Sequence, residues 1–159
     1  TQSVLVRDGR SMVVSSLDHD QLGELYVVRA ELEGLAARLA AQHAAPEEVR
    51  VLRDMVDQDM KLLGHPQKLS RANRRFHRQL HLASHNRYLI QQLEMVHRTM
   101  ALLATTTFAV SGRDSTALDE HYTIVQAIED RDGDAAEAAL KAHISMAYQT
   151  RLKTDANAE

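Results

Sequence analysis

Apolar residues recur at intervals of three and four along most of the chain, the spacing that gathers them on one face of an α-helix. The first such run carries Leu22, Leu25, Tyr26, Val28, Arg29, Leu32, Leu35, Ala36 and Leu39 and fades near His43, with Ser16 or Asp18 placed to cap it. Ala45-Pro46-Glu47-Glu48 reads as a second start, because proline is tolerated in a first turn and acids favour the positive end of the helix dipole. That helix runs through Val49, Leu52, Met55, Val56, Met60 and Leu63 and stops at Gly64. A third covers roughly 67–84, and Asn86 caps a fourth bearing Leu89, Leu93, Val96, Met100 and Leu103. Breaks at Ser111-Gly112-Arg113-Asp114 and Arg131-Asp132-Gly133-Asp134 set off a fifth helix, with Leu118, His121, Ile124, Val125 and Ile128, and a sixth. Six helices joined by short loops predict an all-α antiparallel bundle.

Residues 4–14 depart from that pattern. Two short β-prone runs flank Asp8-Gly9, the strongest local signal for a hairpin. The expected division is therefore a hairpin segment over 1–16 and a helical domain over 17–159.

Composition supports the helical reading: 159 residues with 44% hydrophobic and 26% charged content make one domain with a real core, and only two Pro and six Gly interrupt it. The absence of Cys rules out disulfides and thiolate metal sites and suits a reducing cytoplasm. No apolar stretch approaches the ~20 residues of a membrane span, and no secretory leader opens the chain, so no membrane partner is expected. The first residue is Thr, which leads to the expectation of a fragment of a longer protein. A net charge of -3, with Lys and Arg dispersed among Asp and Glu, argues against nucleic-acid binding by these residues themselves.

Nine histidines are the chemical feature of the sequence. On the third helix Asn73 and His77 stand one turn apart on the face marked by Leu69, Phe76, Leu80 and Ala83, so the two can share one cation. Each further step of four advances about 40° around the helix, so His81 and His85 are expected at the surface. His121 lies among Leu118, Ile124 and Val125, and His143 among Leu140, Ile144, Met146 and Ala147, so both can face inward as ligands or as hydrogen-bonded core residues. His19, His43 and His65 fall at helix ends or in a loop and are expected to be structural, while His97 stands beside the core stripe within reach of a pocket.

Taken in order, Tyr26-Val27-Val28-Arg29-Ala30-Glu31-Leu32-Glu33, Asn73-Arg74-Arg75-Phe76-His77, Ala83-Ser84-His85-Asn86, Glu120-His121-Tyr122-Thr123-Ile124-Val125-Gln126-Ala127-Ile128 and Ala142-His143 resemble the FCD effector domain of GntR-family transcriptional regulators. The resemblance spans residues 17–152. It implies a helical bundle holding a divalent transition metal (Zn, Ni, Mn or Fe) through Asn73, His77, His121 and His143. It also implies a homodimer, and contact with operator DNA through an N-terminal winged helix-turn-helix of which the hairpin in residues 1–16 is the end of the wing. The family usually has Asp where Asn73 stands; the neutral amide attracts a cation less but leaves the site more positive, which favours a small carboxylate as effector. Arg29 on the first helix serves either that carboxylate or a structural salt bridge to a neighbouring Glu, and His97 is a second ligand-binding candidate. The role implied is sensing without catalysis. The competing readings are a metal-dependent enzyme built on the same histidines and a metal-free helical dimerisation module.

Overall fold

The computed structural model describes residues 5–8, 11–14, 17–103 and 106–157, and side chains from residue 17 onward. Strands β1 (Leu5–Asp8) and β2 (Ser11–Val14) pair antiparallel, with Leu5 opposite Val14 and Asp8 opposite Ser11. The connecting residues 9–10 and the candidate cap Ser16 lie outside the described residues.

Six helices follow: α1 (His19–His43), α2 (Pro46–Asp59), α3 (Pro66–Ala83), α4 (Arg87–Met100), α5 (Arg113–Glu129) and α6 (Gly133–Ala156). Their starts are chemically marked. The Asp18 carboxylate accepts from the Gln21 N–H while the Gln21 side chain accepts from Asp18 N–H, closing a capping box. Asn86 accepts from Leu89 N–H and Asp132 from Ala135 N–H, satisfying first-turn donors of α4 and α6 that would otherwise lack partners. At the other end of α1 the Arg131 guanidinium donates to the carbonyls of Ala41 and Ala44, placing a cation at the negative end of the helix dipole.

Helix α1 is the spine of the bundle and touches α3, α4, α5 and α6, most extensively α6. Ala36, Ala37, Ala40 and Ala41 are fully or almost fully buried, and their small side chains let the neighbouring helices approach. Gly34 marks the tightest point, where an added Cβ would sit 2.9 Å from Cε of Lys141 on α6. The main core joins Leu52 and Val56 of α2, Phe76 and Leu80 of α3, Leu93 of α4, Ile124 and Ile128 of α5 and Leu140 of α6. A smaller cluster of Leu22, Tyr26 and Ile144 lies nearer the start of α1, where Tyr26 stacks on Tyr148.

Local boundaries differ from the periodicity in three places. Helix α2 ends at Asp59 and tightens into a 3-10 turn over Met60–Leu62 before Gly64, whose φ of 84° reverses the chain. Helix α4 ends at Met100, leaving Leu103 in the following turn against the smaller cluster. Val28 and Leu35 are 50% and 40% exposed, because the buried stripe of α1 passes instead through Leu22, Tyr26, Arg29, Glu33, Ala36 and Ala40. Met146 likewise faces outward on α6.

Candidate metal and ligand site

Two polar residues in the buried stripe of α1, Arg29 and Glu33, organise the centre of the molecule. Glu33 is completely buried, and the histidines that reach it come from two other helices. His77 Nδ1 of α3 donates to its Oε2 at 3.2 Å, His81 Nε2 to the same oxygen at 2.8 Å, and His97 Nε2 of α4 to Oε1 at 2.7 Å. Arg29, one turn earlier, brings its Nε to 3.6 Å from Oε1. Burial alone would raise the Glu33 pKa, but the electrostatic attraction and hydrogen bonds of the His77 and His81 imidazoles outweigh it and hold the carboxyl well below its usual range.

His81 is therefore not a surface residue as its spacing suggests. It is 6% exposed, because α3 is covered on adjoining sides by α1 and α4 and so buries a face wider than one apolar stripe. His85 does lie outside, beyond the end of α3, where it pairs with Glu48. His19, His43 and His65 are exposed.

On the far side of His77 three imidazoles converge. His77 on α3, His121 on α5 and His143 on α6 are all buried, with Nε2 of His143 at 3.3 Å from Nε2 of both His121 and His77. Glu120 fixes His143 as Glu33 fixes His77: its Oε1 accepts from His143 Nδ1 at 3.3 Å. A carboxylate on Nδ1 keeps the proton there and leaves Nε2 with a lone pair. The His77 and His143 Nε2 atoms thus face each other as two acceptors with no proton between them, an arrangement that a cation relieves. Two nitrogens each about 2.05 Å from a tetrahedral ion lie about 3.3 Å apart, which matches the observed spacing.

All three rings are in the neutral form that binds metals. Burial pushes His77 down to about 3 against the pull of Glu33. Burial, reinforced by His143 and His77, lowers His121 well below its ordinary value, and burial lowers His143 despite Glu120. Phe76 stacks on the His121 ring at 4.3 Å between centroids and restricts its rotation. Asn73 stands one turn before His77, and its Oδ1 is buried without a hydrogen-bond partner, an oxygen of the kind that can ligate a cation. The donor set fits a divalent transition metal.

The cluster opens into a cavity of about 520 Å³ lined by Asn73 and His143 together with Arg29, His97, Arg113 and Arg151. Both ligand-binding candidates, Arg29 and His97, line it, and Arg29 also makes the salt bridge to a neighbouring Glu that was its structural alternative. Arg113 Nη1 donates to both oxygens of Glu120 at 2.8 Å. The Nε atoms of Arg29 and Arg113 are buried without hydrogen-bond partners.

Four participants escaped the sequence: Glu33, His81, Arg113 and Glu120 as an anchor. Glu33 had a signal, since it stands four residues after Arg29 inside an otherwise apolar stripe. The Arg113–Glu120 pair, seven residues apart on one face of α5, had one only in hindsight of the bundle.

Asp59, buried at the end of α2 and bordering the same small void as Asn73 and His121, has its pKa raised to about 6 by burial, against the pull of Arg75. A carboxyl that holds its proton more tightly when folded stabilises the fold below its unfolded pKa, and that stability is lost as pH rises through about 6. Asp59→Asn imitates the protonated form. Its melting temperature is expected to match the parent near pH 4, to exceed it increasingly as pH rises to about 6 and to keep a level advantage above that; a pH-independent difference would show that ionisation of Asp59 carries no folding penalty.

A family model described as the FCD domain matches residues 24–146. By sequence the chain is 28% identical over 141 residues to the "Uncharacterized HTH-type transcriptional regulator YdhC" of Bacillus subtilis (strain 168), covering 87% of this chain and 63% of that protein. It is 29% identical over 138 residues to the "Nta operon transcriptional regulator" of Aminobacter aminovorans, covering 86% of this chain and 64% of that one. The chain thus spans slightly less than two thirds of the length of these relatives. By structure it resembles E. coli McbR/YncC, with a TM-score of 0.79 at 16% identity over 89% of this chain and 72% of that one. It also resembles the metal-free FCD domain of TM0439, with a TM-score of 0.69 at 18% identity over 87% of this chain and 96% of that one. At such identities the structural likeness speaks to the fold.

Proposed function

The chain belongs to the FCD domain family, and from that premise we propose that it is the effector-sensing domain of a GntR-type transcriptional regulator that binds a divalent metal and a small organic acid. The observation that carries this reading is the meeting of three neutral imidazoles and the unpartnered Asn73 oxygen at the end of an arginine-lined cavity. Asn73, His77, His121 and His143 hold the metal, which supplies a Lewis-acidic centre with open positions for an anion. Arg29 and His97 orient the acid, and Glu33 and Glu120 orient the histidines. Regulators are what both sequence relatives are named for. In the same proposal the domain is a cytoplasmic homodimer, residues 1–16 are the end of a wing, and operator DNA is held by a winged helix-turn-helix preceding them. No helix among the described residues is long and apolar enough to cross a membrane.

An enzymatic use of the cluster is disfavoured by the engagement of its carboxylates. Glu120 accepts from Arg113 and His143, and Glu33 from three imidazoles, so neither stands free as a base. The test is thermal melting of protein loaded with Zn, Ni or Mn against a panel of small carboxylates, with each acid recovered afterwards and checked by NMR. A sensor gains stability from an acid it returns intact, about 2.7 kcal/mol at a hundredfold excess over Kd. Conversion of the acid establishes an enzyme, and indifference to every metal and acid establishes a bare helical module.

A further inference from the structure

The cavity carries more positive charge than a single carboxylate balances. Arg29, Arg74, Arg113 and Arg151 line it, and no Asp or Glu is among its described lining residues. Two of these arginines are met from behind, Arg29 by Glu33 and Arg113 by Glu120. Both acids are already shared: Glu33 also accepts from His77, His81 and His97, and Glu120 from His143. Arg29 and Arg113 are each more than nine-tenths buried, and the Nε of each is without a hydrogen bond, that of Arg29 standing 3.6 Å from Glu33 Oε1, so neither guanidinium is fully satisfied by its carboxylate.

Arg74 is a different case. It stands exposed on α3, and among the described residues its side chain donates to Ser70 Oγ alone, at 3.2 Å. Gln67, Ser70 and Arg74 follow one another at steps of three and four, so one side of α3 presents the cavity with a cation flanked by two neutral hydrogen-bonding groups. The cavity therefore offers two anion positions: an inner one at Arg29 and Arg113 beside Asn73 and His143, and an outer one at Arg74. Its volume of about 520 Å³ sits within the range of ordinary metabolite sites and leaves most of the space to water if the occupant is a short monocarboxylate.

We propose that the effector is a dicarboxylate, with one carboxylate held at Arg29 and Arg113 and the second at Arg74, where Ser70 and Gln67 complete its hydrogen bonds. This rests on the reading of the cavity as the effector site, but not on the presence of the metal, because every group invoked belongs to the chain. Arg74 is the residue that separates a diacid from a monoacid. The inner position takes the head that both share, and the outer cation rewards the second carboxylate alone.

Calorimetric titration of the protein with lactate, malate and 2-hydroxyglutarate tests this, since the three share an α-hydroxy acid head and the last two add a second carboxylate. Arg74→Gln is the variant, chosen because an exposed side chain can lose its charge without disturbing the core. One charge-assisted hydrogen-bonded pair corresponds to about tenfold or more in affinity. The expected result is that at least one diacid binds about tenfold or more tightly than lactate. Arg74→Gln should then bring that diacid down to the level of lactate and leave lactate unchanged. Equal binding of lactate and both diacids by the parent, or an equal loss for both classes in the variant, overturns the dicarboxylate assignment while leaving a carboxylate site in place. No binding of any of the three, with or without Zn, overturns the effector reading itself and this inference with it.

Discussion

Protein carrying His121→Ala is expected to leave purification without bound divalent metal, where the untagged parent carries close to one ion per chain by elemental analysis. Loss of an outer carboxylate behind a ligating histidine costs metal affinity about 10–100-fold, and loss of the ligating imidazole itself costs more. His121 is a revealing position because burial keeps it neutral and its Nε2 lies 3.3 Å from that of His143. Removing it leaves two imidazoles and one neutral amide oxygen, a weaker donor set than three imidazoles or than two imidazoles with a carboxylate. The truncated side chain also leaves space against Phe76, so helicity and a urea melt accompany the metal measurement. Asn73→Asp separates the two effects from the other direction. Placing a carboxylate where the unpartnered amide oxygen now lies adds charge attraction without removing a ring, and metal affinity is expected to rise. A parent without metal even after reconstitution, or an Asn73→Asp variant no tighter than the parent, would sink the metal site.

Glu33→Gln is expected to lower stability by about 3–5 kcal/mol in the presence of chelator, the cost of breaking a buried charged network by removing one partner. At 0% exposure Glu33 answers three imidazole N–H groups and the Arg29 guanidinium. An amide keeps the shape but turns one of its two acceptor positions into a donor, so at least one N–H meets another N–H in a place water cannot reach. The same change frees the His77 ring to flip or to move its proton to Nε2, so metal affinity should also fall, about 10–100-fold. Glu120→Gln is the comparison: its side chain is 17% exposed and it serves one histidine and Arg113 where Glu33 serves three histidines and Arg29, so its stability loss is expected to be smaller. Urea denaturation with and without metal checks both. Equal stability of the Glu33→Gln variant and the parent in chelator would mean the network is solvated and carries no such role.

The parts of this structure legible in sequence are those governed by neighbours along the chain. Asp18 with Gln21, Asn86 and Asp132 announce helix starts because each reaches an N–H only three residues away. Helix stops were less visible: α2 tightens at Met60 rather than running to Gly64, and nothing in its apolar spacing marks that change. Asn73 and His77 could be paired by helical geometry, while the approach of His77, His121 and His143, from three different helices, is visible only in the structure. Glu33 could not be read the same way. Its partners lie 44, 48 and 64 residues away, and a charged residue in a helix stripe reads as a surface position until the other helices are in place. His81 is misplaced for the related reason that periodicity assigns one buried face to a helix, whereas α3 is packed against α1, α2 and α4.

The unbroken course of α1 gives these contacts a reach beyond the cavity. From Glu33 back to His19 the helix holds fourteen steps without a proline or a kink, about 21 Å of rod at 1.5 Å per residue. The capping box at Asp18 closes its far end, and its most extensive helix contact is with α6. A rod of this kind converts a tilt into a larger sweep the farther one stands from the fulcrum. Arg29 and Glu33 sit on this rod within five residues of Gly34, where an added Cβ would meet Lys141 of α6. A tilt imposed at these two residues would widen along the rod toward its capped start at Asp18.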